Sequence, residues 1–448
     1  MKKTLTLIVL LNILQISFAS SCTGQTKPKD RITAIVHVNL IPMTRAFEDT
    51  RKNQTIIVEN DKIKSIGPSA SINIPRGAKV INGKELYLMP GLADMHMHFP
   101  GEGNDEFILK MYLVNGVTTI RSLNGSEYQK KLRKKVISGI IPGPTIYLSG
   151  PIIGEKSGSM YFRSTKRVEK EIQKQSERGY DCIKLYTFLP ADVYRAGMQK
   201  AKRLNLYTVG HIPYSVGLDG VIKEGMDEIA HIEELLYEFL VDFDRNNPNP
   251  FGLEIDYSRL ENIMQKVKNS NIILCTSLAI DEVIVQKIIA PREYLARPEA
   301  KYLPGDIYNQ IAQYKDHHQV LFGQGKEMLD WIKLYKKILV KAKELDIPLI
   351  CGTDAGAYGV IHGYSLHDEL RIMTQNGFSP FEAIYTATKG ASLALNKQNQ
   401  WGTIEVGKRA DMILLEKNPL RNIKNLKKIR GIMAFGNWYS KEKLQEML

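Results

Sequence analysis

The chain has 448 residues, of which 43% are hydrophobic and 24% are charged. These values are typical of soluble globular proteins rather than disordered or fibrous ones, and the length is sufficient for a large buried core. The formal net charge is +13. Because the basic residues are spread along the chain without an aromatic-interleaved motif, we expect a solvated basic surface and no nucleic-acid partner.

The first thirty residues predict an export signal rather than part of the fold. A short basic start precedes an apolar stretch over 5–19 that is too short to span a membrane comfortably, which is typical of a secretory signal peptide. We therefore predict a signal peptide over 1–21. Cys22 follows small residues, which favours its lipidation and a tether over 22–30. The protein would then be a membrane-anchored bacterial lipoprotein in the periplasm or at the cell surface, with a secreted or soluble periplasmic protein as the alternative.

Both ends of the remaining chain have the alternating pattern of β-strands. Apolar and polar residues alternate over 31–87, with a predicted hairpin turn at Asn60 and Asp61, and the pattern returns after residue 400. We predict a small β-sandwich composed of 31–87 and 400–448, which brackets a separate body over 88–399.

The body alternates apolar strands with helical stretches such as 192–204 and 329–345, which predicts parallel βα units. Eight strands are predicted, at 88–96, 117–122, 145–149, 182–186, 207–211, 228–231, 272–276 and 348–353. This number predicts an α/β fold with a closed (β/α)8 TIM-like barrel. The segment 291–322, between the last two strands, is expected to cross the mouth of the barrel. Its pair His317 and His318 is predicted to be solvated.

Metal-binding residue types stand at the ends of these strands. His96 and His98 are two residues apart and therefore project from the same face of a strand. His211, His231 and Asp354 end other apolar runs. Taken singly, a core histidine or a helix-capping aspartate is an alternative for each of these three. Taken together, they favour a metal site at the carboxyl ends of the strands.

A lysine completes the set. Lys184 lies inside a short apolar strand, where a buried ammonium is costly. A surface position is the alternative, but the apolar neighbours Ile183 and Leu185 argue against it.

Several motifs together resemble one enzyme family. They are LMPGLADMHMH at 88–98, GVTTIRSLNG at 116–125, GTDAG at 352–356 and GTIEVGKRADMILLEKNPL at 402–420. In these stretches the chain resembles the amidohydrolase superfamily, in particular its imidazolonepropionase- and prolidase-like branch.

The resemblance implies two divalent metal ions, with zinc favoured. His96 and His98 would hold one ion together with Asp354, and a carboxylated Lys184 would bridge to a second ion held by His211 and His231. Asp354 would accept a proton from the bridging water and pass it to the leaving amine, so that a metal-bound hydroxide attacks the substrate.

Three further residues are candidates for substrate contact. Tyr186 faces the same way as Lys184, with packing as its alternative role. Arg121 could pair with a substrate carboxylate or belong to a structural ion pair. His362 could border the mouth of the barrel.

The sequence therefore predicts an exported hydrolase that cleaves an amide-type carbon–nitrogen bond in a small-molecule substrate such as a dipeptide or N-acyl amino acid. Cyclic amides, carbamates and esters are alternatives on the same site. A surface lipoprotein that binds without catalysis is the alternative from another class.

Overall fold

The computed structural model describes residues 31–44, 50–101, 103–154 and 162–448. The predicted signal peptide, the tether and Cys22 lie outside the described residues. Within the described part of the chain, no helix has both the length and the apolar character needed to cross a bilayer.

The strands of the described chain follow in sequence order. They are β1 (Ile32–Leu40), β2 (Arg51–Glu59), β3 (Lys62–Pro68), β4 (Lys79–Asn82), β5 (Tyr87–Pro90), β6 (Leu92–Met97), β7 (Val117–Ser122), β8 (Thr145–Leu148), β9 (Cys182–Leu185), β10 (Tyr207–Gly210), β11 (Glu228–Ile229), β12 (Ile273–Cys275), β13 (Leu349–Ile350), β14 (Met412–Leu415), β15 (Ile429–Ala434) and β16 (Asn437–Ser440).

The helices of the described chain lie mostly between β6 and β14. They are α1 (Asp105–Val114), α2 (Glu127–Ile137), α3 (Thr165–Glu177), α4 (Ala191–Arg203), α5 (Gly217–Glu224), α6 (Leu236–Phe239), α7 (Leu260–Ser270), α8 (Leu278–Ile289), α9 (Pro291–Leu295), α10 (Gly305–Ala312), α11 (His317–Phe322), α12 (Lys326–Glu344), α13 (Tyr364–Gln375), α14 (Pro380–Thr386), α15 (Lys389–Ala394) and α16 (Lys441–Gln445). Short 3-10 turns occur at Ile232–Leu235, Tyr257–Arg259, Pro298–Tyr302 and Ile423–Lys427.

Strands from both ends of the chain form one sheet. Its order is β16-β15-β14-β5-β1-β2-β3, and β4 pairs with β1. The sheet curls, so that its edge strand β3 approaches the segment before β14. The Ile63 N–H on β3 donates to the Lys408 carbonyl there (2.9 Å). One face has an apolar core of its own that includes Ile56 and Met412. Both ends of the chain therefore contribute strands to one curled sheet.

The predicted strand 88–96 is interrupted at Gly91. The residues before it form β5, which pairs with β14, whereas the residues after it form β6, which pairs with β7. The Gly91 N–H donates to the Asp411 carbonyl (2.9 Å), and a Cβ at this position would lie 2.0 Å from the Thr118 hydroxyl. Only glycine permits this close approach, and the chain therefore passes from one unit to the next here.

The second unit is an α/β arrangement of eight parallel strands. Strands β6, β7 and β8 form one sheet and β9 to β13 form another, both in sequence order. Parallel bridges between Ser149 and Cys182 and between Met97 and Ala355 connect the two sheets at both edges. The predicted strands are present, and most end one to three residues early. Asp354, the residue after the last predicted strand, has a φ of 56° and therefore lies outside the extended backbone conformation.

The segment between β12 and β13 carries α8 to α12. The buried Lys287 of α8 donates to Asp316, just before α11 (3.0 Å), and to the Tyr358 carbonyl (2.7 Å). This contact attaches the segment to the α/β unit beside the carboxyl ends of the strands.

Candidate metal centre

Two histidines and one aspartate converge at the end of β6. His96 Nε2 lies 3.3 Å from His98 Nε2, because alternation along the strand directs both side chains to one face. Asp354 Oδ1 lies 3.3 Å from His96 Nε2 and 3.0 Å from His98 Nε2. The Asp354 N–H also donates to the His96 carbonyl (2.8 Å), which holds the two segments together. The three side chains could hold one metal ion.

The remaining predicted ligands share a cavity with these three. The His231 ring lies 4.4 Å from the His96 ring and 5.0 Å from the His211 ring, centroid to centroid. Lys184 lies with them along a cavity of about 420 Å³. We refer to it as the central cavity, and all six predicted ligands line it.

Two buried nitrogen atoms of the candidate ligands have no hydrogen-bond partner among the described residues. They are Lys184 Nζ and His231 Nδ1. Buried polar groups are normally paired, and an unpaired one in a native protein calls for an explanation such as an ion. Nitrogen and carboxylate oxygen are zinc ligands, and a carboxylated lysine is a further oxygen donor. The residues present therefore fit a divalent metal centre.

Hydrogen bonds orient two of the imidazoles. His96 Nδ1 lies 3.2 Å from the Ala230 carbonyl, which leaves Nε2 directed at Asp354. His211 Nδ1 lies 2.5 Å from Glu234 Oε1 and 2.9 Å from the Thr187 hydroxyl. A carboxylate on the outer nitrogen fixes the tautomer and makes the inner nitrogen a better ligand.

The electrostatics favour the metal-binding forms of these groups. Burial lowers the pKa of His96 and His231 well below its usual value, and both imidazoles are therefore neutral. Burial lowers the pKa of Lys184 to about 8, so that part of the amine is neutral and able to react with carbon dioxide. Burial opposes ionisation of Asp354, yet its pKa is held well below the usual value through its contact with His98.

The chain matches the amidohydrolase family over residues 87–439, a span that includes all six candidate ligands. The protein belongs to the amidohydrolase family. It is therefore a hydrolase that acts on carbon–nitrogen bonds.

Individual relatives are distant. Ochratoxinase from Aspergillus niger is 21% identical over an alignment that covers 83% of this chain and 79% of that protein. The fold is similar to that of a Xaa-Pro dipeptidase solved with methionine in its active site (TM-score 0.67, 20% identity, 91% of this chain and 100% of that chain). It is also similar to bottromycin amidohydrolase (TM-score 0.73, 19% identity, 94% of this chain and 89% of that chain).

Arg121 is not available to substrate in this amidohydrolase, which corrects the prediction of a substrate contact. Its guanidinium is fully buried and forms a two-pronged ion pair with Glu228, which also accepts from the Tyr207 hydroxyl (2.8 Å). The Arg121 Nε–H donates to the Met95 carbonyl (2.7 Å). The structural ion pair, which was the alternative, is present.

His362 is also misplaced by the prediction. It is buried, does not line the central cavity, and its Nε2 lies 2.8 Å from the His98 carbonyl. It therefore supports the backbone at His98, just after β6, instead of bordering the mouth.

Tyr186 does face the central cavity, as its position two residues after Lys184 predicts. Its ring packs 4.0 Å from the His211 ring, and burial raises the pKa of its phenol. The hydroxyl therefore stays protonated at neutral pH and can donate a hydrogen bond.

His318 contradicts the prediction of a solvated pair. It is buried and lines the central cavity, with its ring edge-on to Tyr358 at 4.4 Å. Asp316 caps α11 and accepts from the His318 N–H (3.1 Å), and Lys287 of α8 donates to the same carboxylate (3.0 Å), so the start of α11 is fixed against α8. Burial lowers the pKa of His318 to about 4, so the ring is neutral.

Sequence reasoning missed the acidic residues of the cavity. Glu233 and Glu234 lie on the turn Ile232–Leu235, just after His231, and Asp281 lies on α8. The local pattern gives no signal for them, because adjacent glutamates usually indicate a solvated helical turn.

Proposed function

We propose that this protein is an exported two-metal amidohydrolase that cleaves the amide bond of a small substrate such as a dipeptide or an N-acyl amino acid. The observation that carries the proposal is the convergence of four histidines, Asp354 and the partnerless amine of Lys184 on one cavity. A cavity of about 420 Å³ suits a small substrate.

The ligand set divides into two halves. His96, His98 and Asp354 would hold one ion, and His211 and His231 the other. Lys184 lies along the same cavity, and its carboxylated form would supply an oxygen to each ion. When bound, two such ions acidify a water and polarise the scissile carbonyl. Zinc is the metal that this mixture of imidazole and carboxylate favours.

The chain itself supplies proton transfer and orientation. Asp354, whose low pKa keeps it ionised, accepts a proton at its carboxylate and returns it to the leaving nitrogen. Tyr186 donates from its protonated phenol toward the reacting oxygen. Glu234 keeps the His211 ring in one orientation. A purely binding protein would gain nothing from burying an unpaired lysine here.

We also propose that the α/β unit is a closed (β/α)8 barrel. The parallel bridges at both edges of the two sheets support it, because they connect β8 to β9 and the end of β6 to the segment after β13. In such barrels the chemistry occurs at the carboxyl ends of the strands, where the six ligands lie.

Metal content and turnover test the assignment together. We expect the zinc-reconstituted protein to hold about two ions per chain and to hydrolyse members of a library of dipeptides, N-acyl amino acids, cyclic amides, carbamates and esters. Asp354→Asn should lower kcat by about 10²- to 10⁴-fold, the usual contribution of a positioned acid–base group. Asp330→Asn, on the exposed side of α12, is the matched control. Turnover by Asp354→Asn at the parent rate would show that the mechanism is wrong.

Export and anchoring form the second part of the proposal. The basic start, the apolar stretch over 5–19 and Cys22 support a lipoprotein tethered to a membrane. Labelled palmitate should enter the full-length chain in bacterial cells and be absent from Cys22→Ser. Equal labelling of both chains, or of neither, would argue against a lipid anchor at Cys22.

A further inference from the structure

A pair of acidic side chains lines the central cavity and has no part in the mechanism above. Glu233 lies on the turn after His231, and Asp281 lies in the first turns of α8. Their carboxyl groups share a hydrogen bond across these two elements, for which one of the two groups carries the proton. We refer to them as the acidic pair.

Asp281 is buried with an unfilled acceptor. Its side chain is 1% exposed, and its Oδ1 has no hydrogen-bond partner among the described residues. Leaving a buried charged or polar oxygen unpaired costs free energy, because water no longer solvates it. The acidic pair is thus an acceptor site inside the cavity that lacks its donor.

Acidic side chains outnumber lysine and arginine around the cavity. Four carboxyl groups line it, belonging to Glu233, Glu234, Asp281 and Asp354, whereas Lys184 is the one lysine or arginine among the described lining residues. Glu234 is engaged by His211 and Asp354 belongs to the metal centre, so the acidic pair remains for substrate.

Aromatic side chains line the cavity beside the acidic pair, and we refer to them as the aromatic wall. Tyr237, Trp331 and Tyr335 line the same cavity, and α12, which carries the last two, packs against both α8 and the turn that holds Glu233. Aromatic faces attract cations and also accommodate the apolar stem that precedes one.

We propose that the acidic pair selects substrates that carry a cationic group, a primary ammonium or a guanidinium, on an apolar stem. The cation would donate to Asp281 Oδ1 and satisfy the unfilled acceptor. The stem would lie against the aromatic wall, with the scissile amide at the metal centre. This inference rests on the proposed function, because it names the substrate class of the same cavity.

Binding without turnover separates the two proposals. The probes are 4-phenylbutylguanidinium and 4-phenylbutanol, which share a stem and contain no bond that the enzyme would hydrolyse. Titration calorimetry on the zinc-loaded protein should show at least about tenfold tighter binding of the guanidinium, as expected for a hydrogen bond to a charged group. Equal affinity, or tighter binding of the alcohol, would overturn the proposal without any need for a variant.

Substitution then assigns the preference to the acidic pair. In Asp281→Asn the ratio of the two affinities should fall toward one, with the alcohol bound as in the parent. Glu282→Gln is the matched control. Glu282 is the next residue along α8, but its side chain lies outside the cavity and pairs with Lys336 and Arg371. A guanidinium preference that survives Asp281→Asn would overturn the assignment.

Turnover provides the last comparison. Among amides hydrolysed by the parent, N-acetyl-lysinamide should have a higher kcat/KM than N-acetyl-norleucinamide, and Asp281→Asn should remove the difference. If neither probe preference nor this difference is found while other amides are cleaved, the acidic pair is not a substrate site and the amidohydrolase assignment still stands. If the guanidinium preference is found but no amide is cleaved, the proposed function fails and the binding site stands.

Discussion

Glu234 shows how much one residue outside the ligand set contributes to the centre. Its Oε1 lies 2.5 Å from His211 Nδ1, and its Oε2 accepts from the Ile212 N–H (2.9 Å). The carboxylate therefore fixes both the tautomer of His211 and the backbone beside it. A glutamine amide at this position would keep the contact with the backbone but would no longer place a negative charge beside the His211 imidazole.

We expect Glu234→Gln to lower the affinity for the ion at His211 and His231 by about 10- to 100-fold, the usual effect of removing a partner of a metal-bound histidine. Competition with a chromogenic chelator measures this change. Glu238→Gln is the control, because Glu238 pairs with Arg245 and lies away from the ligands. A parent-like affinity in Glu234→Gln would mean that the contact has no effect on the metal.

The candidate ligands could be named from the sequence, whereas Glu234 could not. His96, His98, His211, His231 and Asp354 each end an apolar run, which is a local pattern. Glu234 has no such pattern, since its role depends on a histidine 23 residues earlier that only the fold brings near.

At the scale of secondary structure, the ion pair of Arg121 and Glu228 connects distant strands. Arg121 lies on β7 and Glu228 on β11, and both side chains are 0% exposed. Strands β7 and β11 belong to different sheets, so the pair links the two across the interior. Burying both charges is costly, and their geometry must offset that cost.

Arg121→Met should destabilise the protein by about 3–5 kcal/mol, because it leaves Glu228 buried without its partner. Urea unfolding followed by circular dichroism measures the loss. The double substitution Arg121→Met with Glu228→Leu should recover most of it, since it removes both buried charges. A single substitution that costs no more than the double one would contradict this account.

At the scale of the whole molecule, buried histidines make the fold sensitive to acid. His367 on α13 is buried, and its Nε2 lies 3.0 Å from the Asn115 carbonyl. Burial, assisted by Lys427, lowers its pKa from 6.5 to about 4. Between these two values the unfolded chain binds a proton that the folded chain does not. Stability is therefore complete above pH 6.5 and falls as the pH drops toward 4.

His367→Gln should weaken this pH dependence by up to one proton, or about 1.4 kcal/mol per pH unit. The glutamine amide can still donate to Asn115. Urea unfolding at pH 7, 6 and 5 gives the slope for each protein, and parallel slopes would show that His367 is not a source of the acid sensitivity.

Metal should stabilise the whole fold, because its ligands come from β6, β9 and the segments after β10, β11 and β13. Removal of metal by a chelator should lower the Tm, and zinc should restore it, since an ion at about a thousand times its Kd contributes about 4 kcal/mol. Lys184→Met fills the same buried position without a potential bridge. Its Tm should respond less to the chelator, and an undiminished response would exclude Lys184 from the centre.

The sequence by itself determined the α/β alternation, the two terminal β segments and the set of residues at the ends of the strands. Each of these is written in a local periodicity of two or about four residues, which does not depend on the rest of the chain. Tertiary structure decided the break at Gly91, the curl of the terminal sheet, the partner of Arg121 and the inward position of His318. These features depend on atoms that are far apart in sequence, such as Gly91 and Asp411 or Arg121 and Glu228. No short pattern encodes such contacts, because they arise only when the strands have been assembled.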